Sequence, residues 1–504
     1  MSRTLPERAN LEYLTKEAKA LLKDAKAGQA EALDRVRTFG PPGAWRSPQL
    51  ADCQHALARE YGFPSWPRLK AQVEANAATD PMDALAAALK TREAAEVARV
   101  LRRFPALRER LDDPLPGGDF GATALIVAVG QSNREMVDLL LDAGANPNQR
   151  SHWWAGGFHV LEDDHGLADV LIERGAVLDA KAAAGLGRLD DLKRLVAADP
   201  SAVRQRGGDG QTPLHVARNI EIAKFLLEHG AEIDARDVDH ESTPAEHLVR
   251  SHPDVARYLV SRGAHADILL AAALGDRERV RQHLETDPSA IGMMVSGHHL
   301  PMRNPRAGGH IYTWTLGTGK SVHAVAREFG HEEVLRLLLE HTPANLRLAV
   351  TCELGDEEGL NALLAARDNR PYEIPPGERL RLPFLAERGQ REAVRLMLKA
   401  GWPPDATARH GATALHWAAF HGDTALARVI LPHQPPLEAR DREFKATPLG
   451  WALYGSLNGW RKDVGDYAGV VELLLSTGAA PPPQGTEVTA STPVLQVLRK
   501  RGLL

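Results

Sequence analysis

Three stretches of this chain gather side chains able to do chemistry or grip a ligand. The first is "SHWWAGGFHVLEDDHG", residues 151–166, where Trp153 and Trp154 precede His159, Glu162, Asp163, Asp164 and His165. Neighbouring carboxylates repel one another, and burial of one raises its pKa toward that of a general acid. Glu162, Asp163 and Asp164 are therefore catalytic candidates, with Trp153, Trp154 and His165 as binding groups. The competing reading leaves Asp163 and Asp164 solvated at a turn, with Glu162 capping a neighbouring segment. His159 and Glu162 are spaced i, i+3, as on one helical face. His159-x-x-Glu162-x-x-His165 matches no established ligand spacing, so no metal site is assigned.

The second stretch is C-terminal. "RHGATALHWAAFHGD" sets Trp417 beside His416, with His421 five residues beyond His416, and "TPLGWALYGSLNGWRKDVGDYAG" adds Trp451, Tyr454, Trp460, Tyr467, Asp463 and Asp466. Aromatic residues are only 5% of the chain, so this concentration points to a pocket wall or a binding surface. The alternative is that the rings fill space beneath a lengthened loop. In an enzyme, His421 and Asp463 are the acid–base candidates here.

The third stretch, 287–319, is "DPSAIGMMVSGHHLPMRNPRAGGHIYTWTLGTG". Loops this long are usually functional or disordered. The alternation from His310 to Leu316 has strand character, with His310, Tyr312 and Trp314 as binding candidates. Gly317-Thr318-Gly319-Lys320-Ser321 has the look of a phosphate loop. It lacks the required first glycine, because Trp314 stands there, and is read as chance.

The elements that must hold these residues repeat along the chain. "GQTPLHVARNIEIAKFLLEHGAEIDARD" from Gly210 shares its plan with stretches starting at Gly121, Glu241 and Gly411. Thr-Pro or Thr-Ala opens a short helix of small residues, a polar break follows, and a Leu-rich second helix ends near Gly-Ala before an Asp/Asn-rich finger. Pro after the Thr cap sits where its missing N–H costs nothing. Small residues on the first helix permit close packing of neighbouring hairpins.

These residues resemble those of ankyrin-repeat proteins, with His215, His323 and His416 at the family's His position. Weaker tiles continue the phase from Ser151, Lys181, Leu269, Leu346, Arg381 and Ala446, an early degenerate tile starts at Met82, and a truncated one ends the chain. The resemblance implies an all-α solenoid of roughly twelve helix-turn-helix tiles. Its domains are a helical N-terminal cap at 1–75, repeats over 82–286, the insertion at 287–319 folding over the concave face, and repeats over 320–504. The leader is similar to helical leaders of some bacterial ankyrin proteins. Tiles stacked ~10 Å apart leave Glu162 and Asp239 too distant to share one metal by stacking alone.

Composition narrows the function. Hydrophobic residues at 43% and charged residues at 25% suit a folded chain, and a net charge of −5 gives no reason to expect nucleic acid. Cys53 and Cys352 are too few for a disulfide framework, and the N-terminus has no apolar signal region. A cytoplasmic protein with no membrane span is expected. In the family the concave surface usually binds another macromolecule, so the resemblance implies a protein or peptide partner. The alternative is an enzyme or small-molecule receptor with an aromatic and acidic pocket built on the solenoid. No nucleophile order, zinc spacing or cofactor fingerprint names a reaction, and no cofactor is expected.

Overall fold

The structure, a computed structural model, describes residues 11–77, 80–162, 165–366, 373–483 and 488–503. Asp163 and Asp164 lie outside the described residues. Among those described there is no strand, only the isolated bridges Met294–Ser321 and Thr407–Thr413. The chain divides into two units, Met1–Ala264 with Arg303–Gly308, and His265–Met302 with Gly309–Leu504.

The first unit begins with four helices, Leu11–Lys26, Ala30–Phe39, Leu50–Glu60 and Trp66–Ala77. Leu14, Ala18, Leu57, Ala58 and Leu69 form one small core, and Leu21, Ala25, Val36, Cys53 and Ala56 a second. Trp66–Ala77 packs on Pro81–Lys90, the first helix of the earliest tile. Asp80 caps that helix by accepting from the Met82 N–H, and Pro81 takes its first position. One apolar core then runs from Met82 to Ala182, with Leu85, Val97, Leu125, Met136 and Leu140 nearly inaccessible.

Local chemistry repeats with the tiles. Asn133, Asp179, Asn219, Asp267, Ser321 and Asp466 each accept a backbone N–H in the first turn of the helix that follows. The His signature also has a geometric role. His215 Nδ1 accepts from the Thr212 N–H at 3.0 Å, so Nε2 carries the proton and donates to the Ser242 carbonyl of the next tile at 3.2 Å. His416 does the same with the Thr413 N–H and the Ala446 carbonyl.

In the second unit, Ile268–Leu274 packs directly on Val322–Glu328, so first helices stay in register across the long insertion. The strand expected from His310 to Leu316 is not formed. Thr313–Gly317 is instead a single π-helical turn. Ile311, Tyr312 and Leu316 are buried, and the Tyr312 hydroxyl donates to Asp267 Oδ1 at 3.1 Å, so a helical spacing places the buried groups better than alternation would. Insertion residues Arg303–Gly308 belong to the first unit. There the Arg303 and Asn304 N–H groups donate to Glu241 at 3.0 and 2.8 Å, and the Gly308 N–H donates to Asp239.

The buried tile histidines make stability pH-dependent. Burial, assisted by neighbouring His247, pushes His215 down to about 3, and burial pushes His323 down to about 4. A depressed histidine is neutral when folded, while the unfolded chain takes up a proton below about 6.5, so acid favours unfolding. Melting temperature is expected to fall steadily from pH 6.5 toward pH 4, and His323→Gln should flatten that slope. An equal slope in the variant removes His323 from this account.

Candidate functional site

Among its described residues the 151 tile has no first helix. Residues 151–162 run as an irregular excursion, and helix returns only at Ala168–Glu173. The helical face proposed for His159 and Glu162 is therefore absent, replaced by a turn in which the Glu162 N–H donates to the His159 carbonyl at 3.1 Å. The sequence gives the physical reason, since Gly156 adopts φ +131° and both Gly156 and Gly157 sit too close to neighbouring backbone to carry a Cβ.

Glu162 is tied down. Its Oε1 takes Arg150 Nη1 and the Gly208 N–H, both at 3.2 Å, and its Oε2 takes the Lys181 ammonium. Its side chain is only 7% exposed and that of Lys181 6%. Arg150 also reaches Asp179 at 2.6 Å, so Glu162 is the centre of an ion-pair network. His159 is buried, which lowers its pKa, and its Nδ1 accepts from the Leu161 N–H. Glu162 and His159, with His165, Phe120 and Phe158, line a cavity of about 200 Å³.

Trp153 and Trp154 are half-buried. Trp153 packs edge-on against Phe120, and its Nε1 donates to Asp209 Oδ1 at 2.9 Å. Arg306, from the insertion tip, lies 4.6 Å over the Trp154 ring. The Asp209 carbonyl in turn accepts from the Val238 and Asp239 N–H groups. The excursion thus reaches the Asp239 finger by lying along the fingers, a proximity that tile stacking did not anticipate. Two groups of donors gather there, Asp209 with Asp239 and His240, and His215 with Asp237 and His247, each with ligand atoms within 4.8 Å of one another. Sequence reading passed over Lys181, Asp209, Asp237 and His240 because each occupies an ordinary finger or helix position.

In the second unit Trp417 and Trp451 are buried, at 2% and 6% exposure. Helix Ala414–Phe420, which carries Trp417, packs between Arg381–Glu387 and Pro448–Asn458. Trp451 Nε1 donates to Asp441 at 3.0 Å. Trp460, by contrast, is 67% exposed and Tyr454 61%. The Trp460 ring stacks at 6.1 Å on Trp417 and stands edge-on to Phe420 at 5.4 Å. His421 Nε2 donates to the Glu387 carbonyl at 2.8 Å, while exposed Asp463 lies in the turn after Trp460. Beneath these rings Trp417 Nε1, His421 Nδ1 and Glu387 Oε2 have no hydrogen-bond partner among the described residues. Burial raises the Glu387 carboxyl and lowers His421, and Arg409 beside Glu387 opposes the first shift. In the insertion, Trp314 is exposed, Tyr312 is buried, and the His310 ring lies tilted against Tyr312 with centroids 4.6 Å apart.

The Glu162 network sets a stability test. Removing one member of a buried pair strands the other charge at a cost of ~3–5 kcal/mol, whereas replacing both with apolar groups is far cheaper. Glu162→Ala should therefore unfold the first unit at markedly lower urea, and Glu162→Leu with Lys181→Met should recover most of the loss. No recovery in the double variant contradicts a purely structural network.

Ankyrin-repeat family models match residues 120–152, 180–272 and 382–431. The chain is 26% identical over 351 residues to the E3 ubiquitin-protein ligase KEG of Arabidopsis thaliana, covering 64% of this chain and 19% of that protein. It is 37% identical over 86 residues to the potassium channel AKT3 of Oryza sativa subsp. japonica, covering 16% of this chain and 8% of the channel. The chain thus spans less than a fifth of either relative's length. A solved human ASB11 ankyrin repeat domain aligns at 18% identity with a TM-score of 0.26, covering 61% of this chain and 100% of that one. With repeat matches along the chain and the His-mediated bond from tile to tile, this is an ankyrin-repeat protein.

Proposed function

We propose that this protein binds a protein or peptide segment in its concave groove, and that the last full repeat supplies the anchors. The supporting observation is one run of exposed apolar side chains. Phe444, Tyr454, Leu457, Trp460 and Val464 all face solvent, in a chain where most other large apolar groups are buried. Trp and Tyr on a well-packed base are the commonest anchors of binding interfaces. Trp417, Trp451 and Phe420 provide that base. The partner this surface suits is a segment with bulky apolar side chains, its polar groups meeting Arg461 and Lys462 at the rim.

The cavity beneath the 151 excursion, at about 200 Å³, is smaller than the roughly 300–1,000 Å³ of small-molecule sites, which weighs against a receptor there. Burial pushes the Cys53 and Cys352 thiols up to about 11 and about 12, so they are poor nucleophiles. Unbridged buried thiols agree with a reducing, cytoplasmic setting. Among the described residues no helix is long and apolar enough to cross a membrane.

Peptides selected from a random display library against the full chain provide the test. Trp460→Ala with Tyr454→Ala should weaken their binding at least ~10-fold with little change in melting temperature. Trp417→Ala should instead cost ~3–5 kcal/mol of stability. Undiminished peptide binding by the Trp460/Tyr454 variant contradicts the proposed surface.

A further inference from the structure

Outside the aromatic surface, the first unit holds two adjoining groups of carboxylates and imidazoles. His240 and His247 stand at their boundary with ring centroids 5.9 Å apart. One group, His215 with Asp237 and His247, is already committed. The Thr212 N–H occupies His215 Nδ1, so Nε2 must keep its proton for the Ser242 carbonyl, and a metal there would require an imidazolate. Asp237 likewise spends its oxygens on the Ser242 and His240 N–H groups.

The other group is arranged differently. Trp153 Nε1 holds Asp209 Oδ1 at 2.9 Å and the Gly308 N–H holds Asp239 Oδ1 at 3.1 Å. Both remaining oxygens approach the same imidazole nitrogen, with His240 Nε2 3.9 Å from Asp209 Oδ2 and 3.7 Å from Asp239 Oδ2. We propose that Asp209 Oδ2, Asp239 Oδ2 and His240 Nε2 bind a divalent transition ion, of the zinc class, that fastens the two fingers and the insertion tip together.

Donor chemistry, spacing and surroundings support this. Two carboxylates and an imidazole suit zinc, whose bonds of about 2.0–2.2 Å put tetrahedral ligands about 3.4 Å apart. The two spacings from His240 Nε2, 3.9 and 3.7 Å, therefore need to contract by up to about half an ångström. N–H groups orienting the non-ligating oxygens are the outer partners that metal-binding carboxylates require. The three side chains are 15%, 6% and 11% exposed, so two carboxylates lie close together away from most water. Burial raises the Asp209 carboxyl, His240 opposes that shift and Asp239 adds to it. Lys181, whose charge acts on Asp209, is engaged by Glu162 and the Gly208 carbonyl.

His247, whose side chain is 8% exposed, stands beside this group with its Nε2 3.5 Å from Asp237 Oδ1, so it belongs to the committed group. Gly308 is shaped to the site, because a Cβ there would stand 2.8 Å from Asp239 Oδ2. The three donors belong to two different fingers, so no linear ligand spacing announces them.

The test uses the full chain stripped with a chelator and titrated calorimetrically with Zn²⁺ and with Mg²⁺, alongside melting curves. One equivalent of Zn²⁺ is expected to bind and raise the melting temperature, with Mg²⁺ at least tenfold weaker. Asp209→Asn and Asp239→Asn keep shape and should abolish binding, and His240→Gln should weaken it at least tenfold. Co²⁺ should give a visible tetrahedral spectrum that these variants lose. Metal-free variants that melt like the metal-free parent rule out misfolding as the cause. Failure of Zn²⁺ to bind, Zn²⁺ binding that survives both Asn variants, or equal binding of Mg²⁺ overturns the proposal.

Discussion

The bond that ties neighbouring tiles at two boundaries is the one histidine makes from its own helix cap to the next tile. A backbone N–H from its own helix cap fixes the tautomer of His215, leaving one proton that only the next tile's carbonyl can take. Each such bond satisfies a buried polar group on either side, and leaving either alone would cost about 1–3 kcal/mol. His323 varies the scheme, with Nε2 against the Thr342 hydroxyl at 2.8 Å. Because these links hold first helices to the next finger, a departure in one tile is absorbed by its own loop and not by the stack.

Two departures show how that freedom is used. At 151–162 the first helix is replaced by an excursion whose tryptophan reaches a neighbouring finger, and the ion pairs of Glu162 hold it there. After Pro448–Asn458 the loop between helices is lengthened, and Trp460 rests on buried Trp417 with its outer face in solvent. The first builds a polar, largely buried cluster. The second builds an apolar, exposed one. Interactions with a partner suit the second, since its rings are already ordered before binding and little conformational freedom remains to be lost.

Helix caps and Leu-rich second helices were legible because they depend on residues adjacent in sequence. Thr212-Pro213 announces its helix without reference to anything distant. The strand read at His310–Leu316 failed because Tyr312 is drawn inward by Asp267, a residue 45 positions away. Aromatic richness in the C-terminal tiles was visible, but not its division into buried Trp417 and Trp451 and exposed Tyr454 and Trp460, which is set by packing between neighbouring first helices. Glu162 looked like a free acid because nothing local reveals that Arg150 and Lys181 converge on it. Asp209 drew no notice and Asp239 was weighed only against Glu162, since Asp is ordinary at a finger tip and only the insertion and Trp153 make these two unusual.

The central claim is that partner binding is concentrated on the exposed rings of the last full repeat. Hydrogen exchange of the full chain, with and without a saturating selected peptide, tests it most directly. The account predicts slowed exchange in peptides spanning 444–464, with the outward second helices of the same unit unchanged. Slowed exchange confined to 303–314 or to the fingers of the first unit, with 444–464 unaffected, would contradict it.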